Sequence, residues 1–285
     1  MNAICICCKT RLVHYLKTKD LSITKCHACK TLFAQHHTVS TSNPWIDSVI
    51  TKSFLSSLVQ RRLLQAQTIV RLLYTFLKNE VILDYGCGQG VFTSTALSKK
   101  IDCTGFDMYF PTNAFIKKDH FIELSSPWQM PDCISTYSTI VLLDVLEHHT
   151  HPEEFLAMCR DQNIKYLIIK VPLVNGPMGL IARICARLGY PYLLERLFLV
   201  NQALPHQVFF SEKGIIRLAH NAHYNLFHEL KLADVGRELP ERMRIKNTIL
   251  LKPILTLIGI FFESMAWAWS DTSVFVFELQ KDKSD

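Results

Sequence analysis

Val81-Ile-Leu-Asp-Tyr-Gly-Cys-Gly-Gln-Gly90 is the stretch that decides the fold. Val81, Ile82 and Leu83 form a short apolar run of the kind that lies buried in a parallel strand. Asp84 ends it, and Gly86, Gly88 and Gly90 follow at two-residue spacing, after which Phe92, Ala96 and Leu97 fall on one side of a helical pattern. Glycines in such a turn let a ligand touch the backbone, and the turn aims the first N–H groups of the next helix at that ligand. Strand, glycine turn and helix together predict the nucleotide-binding half of a doubly wound α/β sheet. The spacing is D-x-G-x-G-x-G, with the acid before the first glycine, and so differs from the dinucleotide fingerprint G-x-G-x-x-G. A turn with no ligand would use glycines too, so the neighbouring stretches carry the decision.

Downstream, Ile101-Asp-Cys-Thr-Gly-Phe-Asp107 reads as the second strand and ends in an acid. A carboxylate at that strand end can accept both hydroxyls of a ribose, whereas an ordinary Asp would only open a turn. A short third strand is expected near Asp119–Leu124, with Glu123 either beside a bound base or solvated. From Thr139 to Leu156 a buried strand gives way to a helix start, with Pro152 in its first turn and Glu153 and Glu154 where acids favour the helix dipole. Ile164–Val171 reads as a further strand and Val274–Leu279 as the last.

The segments LDYGCGQG, GFD and VLLDVLEHHTHPEEFL, in this order and at these separations, resemble the class I S-adenosylmethionine (SAM) methyltransferases of the ubiquinone-biosynthesis and related small-molecule groups. VPLVNGP and PHQVFFSEKGIIRLA are similar to later segments of that group, so the likeness runs over about residues 50–280. The resemblance implies a seven-stranded sheet in the order 3-2-1-4-5-7-6, the seventh strand antiparallel. It implies SAM as cofactor, with Asp84, Gly86, Cys87, Gly88 and Gly90 around it, Asp107 at its ribose and Asp144 against cofactor or substrate. It also places Glu147-His148 near the mouth of the active site, and Pro205-His206 where the substrate segment re-enters the sheet. SAM brings its own leaving group, so the protein has mainly to align methyl and nucleophile. A hydroxyl acceptor would add the need for a base. His148, His149, His151 and His206 are the candidates, with His148 and His206 foremost; a capping or surface role is the plainer reading of each.

Ahead of this domain, Cys5-x2-Cys8 and Cys26-x2-Cys29 enclose residues 9–25, the spacing of a four-cysteine zinc site. Two cysteines two apart let one tight knuckle present both thiolates, and two knuckles close a tetrahedral structural site. Cys7 and His27 compete as ligands, and free thiols are the alternative. Similar knuckles precede the domain in some bacterial sugar and natural-product methyltransferases. The expected organisation is a zinc-ribbon-like module at 1–36, a helical linker at 37–80 with a turn at Thr41-Ser42-Asn43-Pro44, and a SAM domain at 81–285. Leu55, Leu58, Leu63, Ile69, Leu73 and Leu77 predict one long helix or two shorter ones inside the linker.

The net charge of +6 is uneven: residues 1–36 carry six Lys and Arg against Asp20 alone. That balance suits either an anionic partner or a small module with little interior to hide its lysines. Ten cysteines, half of them scattered singly, fit reduced thiols and a cytoplasmic setting, and no long apolar run precedes Cys5. Apolar residues make up 49% of the chain, with a mean hydropathy of +0.14, and the excess is concentrated near 176–204 and 249–269. Arg183, Arg187 and Arg196 interrupt the first segment, and Lys252, Pro253 and Glu263 shorten the second, so neither reads as a membrane span. They are either helices packed in the core or a lid over an apolar acceptor that touches a membrane surface, with Leu197 and Phe198 on the outer face.

Three functions are compatible with these features. One is methyl transfer from SAM to an oxygen or carbon of a small molecule, whether lipid- or quinone-like, a sugar or a natural-product intermediate. Another is RNA methylation, which the basic module favours and its scarcity of aromatics (Tyr15 and Phe33) opposes. The third is a non-catalytic binding protein that keeps the fold.

Overall fold

In the computed structural model, residues 3–37, 52–111, 113–126, 128–200, 202, 204–242 and 251–280 are described. The turn expected at Thr41–Pro44 lies outside them, as do residues 249 and 250 of the second apolar segment. The chain begins with β1 (Leu12–Lys17), β2 (Leu21–Cys26) and β3 (Leu32–His36), followed by α1 (Lys52–Leu72) and α2 (Tyr74–Leu77). Strands and helices then alternate: β4 (Ile82–Tyr85), α3 (Val91–Ser98), β5 (Cys103–Asp107), β6 (Phe121–Glu123), β7 (Thr139–Leu143), α4 (Pro152–Asp161) and β8 (Tyr166–Pro172). The remainder is α5 (Pro177–Arg187), α6 (Tyr192–Leu197), β9 (Val208–Phe209), α7 (Glu212–Asn221), β10 (Tyr224–Leu232), α8 (Leu239–Arg242), α9 (Leu251–Met265) and β11 (Thr272–Leu279).

The chain forms two compact units, each built from separate stretches of sequence. Residues 62–171, 216–230 and 274–285 make one of them, around a seven-stranded sheet ordered β10-β11-β8-β7-β4-β5-β6. Numbered within the sheet, this is the order 3-2-1-4-5-7-6 read from the opposite edge. β4 runs parallel to both β5 and β7, β5 to β6, and β7 to β8. β11 is antiparallel to β8: Leu279 N–H reaches Lys165 O at one end, and Leu173 N–H reaches Asp271 O at the other. Leu167, Ile168 and Ile169 of β8 are fully buried, because a parallel sheet covered on both faces has no wet side.

Residues 1–61, 172–215 and 231–273 make the other unit. β1, β2 and β3 form an antiparallel meander, and β9 adds a fourth strand, pairing Leu32 with Phe209 and Phe33 with Val208. Leu21, Ile23 and Leu32 of the meander share one core with Ala182 and Ala186 of α5 and with Leu194, Phe198 and Phe209. The N-terminal strands are therefore roofed by residues far along the chain. Ser211 fastens a second point: its hydroxyl bonds the Cys29 carbonyl and also receives the Gly214 N–H at 2.9 Å, capping α7. Arg61 of α1, almost wholly buried, forks onto both carboxylate oxygens of Glu238 at 2.7 Å and reaches Glu263 of α9 at 2.9 Å.

The expectation that Leu197 and Phe198 face outward is corrected here. Phe198 is fully buried, edge-on to Phe209 with ring centroids 5.8 Å apart, because α6 turns this residue toward the meander. No helix among the described residues is long and apolar enough to cross a membrane. Phe198→Ala should cost about 3–5 kcal/mol of stability, measured as a lowered urea midpoint of the unit that contains it.

Candidate active site

The glycine turn folds as it does because two strand ends need partners. The N–H groups of Gly86 and Cys87 both bond the Phe106 carbonyl, at 2.7 and 3.2 Å, which fastens the loop after β4 to the end of β5. Gly86, Gly88 and Gly90 adopt φ of +71°, +55° and +76°, the left-handed region that side chains disfavour. Two of these glycines differ in what surrounds them. A Cβ on Gly86 would lie 2.6 Å from Val145, so that glycine is required for packing. A Cβ on Gly88 would meet nothing within 4 Å, so the space above it is open to a ligand.

Asp107 ends β5 beside this opening. Its Oδ2 accepts the Gly88 N–H and its Oδ1 the Met108 N–H, both at 2.7 Å. Burial raises its carboxyl above the usual range, opposed by those two N–H groups and by the charge of Arg62. A carboxylate has about four lone-pair directions, so acceptor capacity remains for two hydroxyls. Asp84, 2% exposed, accepts the Thr93 hydroxyl at 2.7 Å and so locks β4 to α3. Its burial lifts its pKa to about 7. The Cys87 thiol turns inward against Gly105 of β5, and burial pushes its pKa up. Glu123, at the end of β6, pairs in register with Asp107 and is exposed.

Asp144 follows β7 at φ +59°, a strained conformation for any residue with a side chain. Its carboxylate accepts the Lys170 ammonium at 2.7 Å, and Lys170 is itself buried within β8. Burial alone would raise the Asp144 pKa, but Lys170 and Arg62 outweigh it and hold the group ionised. Glu147, fully buried one short turn later, is pushed well up by burial and by the neighbouring Asp144 charge. Lys170 thus draws one carboxyl down while burial and the first charge push the next one up, a separation typical of sites that handle charge. Lys170 and Arg62 were not anticipated from the sequence. A lysine inside Ile168-Ile-Lys-Val171 was the available clue for the first; Arg62, beside Arg61 in a helix, offered none.

The four histidines differ in their surroundings. His149 is buried against Trp128, with ring centroids 4.2 Å apart, accepts the His151 N–H, and is kept neutral by burial with a pKa of about 4. His151 is exposed at the start of α4. His148 is half-buried and near enough to Asp144 for its charge to be felt there. His206 belongs to the other unit, where its Nδ1 donates to the Leu197 carbonyl at 2.7 Å. That bond leaves Nε2 as the acceptor nitrogen of the neutral ring. Asp84, the three glycines, Asp107 and Asp144 therefore converge at the carboxyl edge of neighbouring strands, where the sheet's connections reverse direction; open α/β sheets bind ligands at that point.

A separate cluster lies in the N-terminal knuckles. The sulfurs of Cys5, Cys8, Cys26 and Cys29 all fall within 4.8 Å of one another. Cys5–Cys29 and Cys8–Cys26 are 3.7 and 3.2 Å apart. Sulfurs 2.3 Å from a tetrahedral zinc would be about 3.8 Å apart, so the set fits that ion. His27 is exposed and lies outside the cluster. The two knuckles also repeat one another. Each reads Cys-x2-Cys-Lys-Thr, with Lys9 and Lys30 at positive φ, their N–H groups bonded to Cys5 O and Cys26 O, and the first cysteine N–H bonded to the threonine carbonyl. That Lys-Thr repeat was a second sequence clue to the site.

Among solved structures, a chain of the Haloferax volcanii complex between a methyltransferase activator and its partner aligns with a TM-score of 0.52 at 10% identity. The alignment covers 83% of this chain and 100% of that one. The magnesium protoporphyrin IX methyltransferase of Synechocystis PCC 6803, solved with S-adenosylhomocysteine, gives 0.50 at 12% identity over 82% and 90%. At these identities the likeness concerns the fold. No curated protein is close enough in sequence to count as a match. The profile of the methyltransferase-domain family, however, matches residues 57–229, more than half of the sequence and the whole stretch from α1 through the glycine turn to β10. The sheet order, the glycine turn and that match agree, and the chain belongs to the methyltransferase-domain family as a class I SAM-dependent methyltransferase.

Proposed function

We propose that this enzyme methylates an oxygen or carbon of a small-molecule acceptor, with Asp107 gripping the ribose of SAM and a structural zinc in the knuckles. The observation that carries the cofactor reading is the Asp107 carboxylate, fixed by two backbone N–H groups beside the open space over Gly88. Bound SAM would supply an activated methyl group on a sulfonium. Gly86, Gly88 and Gly90 give it backbone access, with the Cys87 backbone between them, while Asp84 acts at one remove by holding α3 to β4. Asp144, kept ionised by Lys170, faces cofactor or acceptor with fixed negative charge. His148 is the residue assigned to proton removal from a hydroxyl acceptor, and His206 is the second choice. A small-molecule acceptor is favoured over RNA because the module's aromatics are not free platforms: the Tyr15 hydroxyl is buried, Lys25 lies over its ring, and Phe33 is half-buried in a paired strand.

Asp107→Ala should weaken SAM binding roughly 10- to 150-fold, the worth of hydrogen bonds to a charged acceptor, as read by calorimetry. A folded variant with unchanged affinity removes the ribose assignment. Native mass spectrometry should find one zinc per chain, absent after Cys26→Ser with Cys29→Ser; metal-free wild type counts against the structural metal. Incubating the protein with methyl-labelled SAM and a cell extract, then separating RNA, lipid and water-soluble small molecules, should put label outside the RNA. With the labelled acceptor in hand, His148→Gln should cut turnover by about 10²–10⁴ and leave SAM affinity alone; equal turnover would reassign the base.

A further inference from the structure

Two helices of the unit that contains the meander, α5 and α9, turn their large apolar side chains to solvent and bury small residues instead. In α9 Gly259 is buried, as is Ala266 just past the helix end, and a Cβ on Gly259 would run into the Gly236 carbonyl. Ile254, Leu257, Ile258 and Phe261, at the i, i+3, i+4, i+7 spacing of one helical face, are turned to solvent, with Leu257 66% and Phe261 58% exposed. α5 repeats the inversion. Gly179, Ala182 and Ala186 are buried, a Cβ on Gly179 would lie 2.6 Å from the Val174 carbonyl, and Leu180, Ile181 and Ile184 face outward. Neither helix can rotate to correct this. Turning α9 would drive a large side chain against Gly236 and break the Glu263 bond to Arg61.

The ends of the two helices are joined. The indole of Trp269, just past α9, donates to the Asn175 carbonyl at 2.8 Å, and Asp271 accepts the Met178 N–H of α5 at 2.7 Å. Trp267 between them is 78% exposed. Basic side chains gather beside α5. Arg183 and Arg187 project from α5, and Lys25 and Lys30 come close enough that, burial apart, Lys25 feels Arg183, Lys30 and Arg187 as like charges. Arg183 and Arg187 likewise oppose each other's charge.

We propose that α5 and α9, flanked by this cation cluster and by Trp267, form a docking surface for an anionic phospholipid bilayer, on which both helices lie in the interface plane. Outward apolar stripes with neighbouring cations and exposed tryptophan match what an interface of acyl chains and acidic headgroups offers. A second copy of the chain would bring its own cations against these, and a nucleic acid would have no use for the apolar stripes. The proposal goes beyond methyl transfer and does not depend on the acceptor.

Full-length protein should co-sediment with vesicles of phosphatidylglycerol and phosphatidylcholine at low salt, at least tenfold less with phosphatidylcholine alone, and its tryptophan emission should shift to the blue. Leu257→Glu with Phe261→Glu should reduce vesicle binding at least tenfold, and Ile184→Glu should do so independently. Both variants should keep their far-ultraviolet circular dichroism and SAM affinity. Lys30→Glu with Arg187→Glu should remove the preference for the anionic lipid. No vesicle binding by the wild type, or binding indifferent to Leu257, Phe261 and Ile184, would overturn the proposal. A dimer in sedimentation velocity that Phe261→Glu dissolves, without vesicle binding, would assign the surface to a second copy. Salt-sensitive RNA binding that ignores the apolar substitutions, without vesicle binding, would assign the cations to nucleic acid.

Discussion

The hydrogen bond from the Gly88 N–H to the Asp107 carboxylate ties the end of one strand to the loop after its neighbour. Gly86 and Cys87 have already given their N–H groups to Phe106, so the whole turn hangs from the last two residues of β5. With Asp84 bonded to Thr93, strand, loop and helix form one fixed piece. An open space lined by backbone keeps its shape only if each backbone donor near it has somewhere to point. Here the donors point at a carboxylate that retains acceptor capacity, so the groups that shape the turn also offer a ligand its contacts.

Beside that piece, charge is sorted over a short distance. Lys170 emerges within an otherwise apolar strand and would be costly there without Asp144. Asp144 in turn raises the pKa of Glu147, three residues on. The two carboxyls shift in opposite directions because like charges in one buried space repel. Arg62 adds a positive charge felt by both Asp107 and Asp144, so α1 contributes to the site electrostatically although it lies outside the sheet.

What could be read from the sequence was local. The strand, turn and helix around Asp84 to Gly90 and the acid at Asp107 depend on residues within one turn of each other, and spacing alone reveals them. The two cysteine pairs are local for the same reason. Phe198 and β9 were misread or missed because their roles depend on pairing across the chain: Val208–Phe209 is too short to signal a strand until β3 lies beside it. Lys170 was missed because a lone lysine in an apolar strand has no meaning until its partner is placed. Which way the apolar stripes of α5 and α9 face was left open by the sequence for a different reason. Periodicity shows that a helix has an apolar face, but not that Gly259 or Gly179 forces it to face away from the core.

The pairing of β3 with β9 also sets an order of events during synthesis. Leu32 leaves the ribosome long before Phe209, its partner, exists. At about 5–20 residues per second, the meander waits on the order of ten to thirty seconds for its fourth strand and for the Leu194 and Phe198 side chains that roof it. Through that interval the meander lacks these partners, and its own backbone ladder and the two cysteine knuckles hold its strands in register. A metal bound there would act first as a clamp on a half-made sheet, so metal supply during translation would influence yield more strongly than the stability of the finished protein suggests.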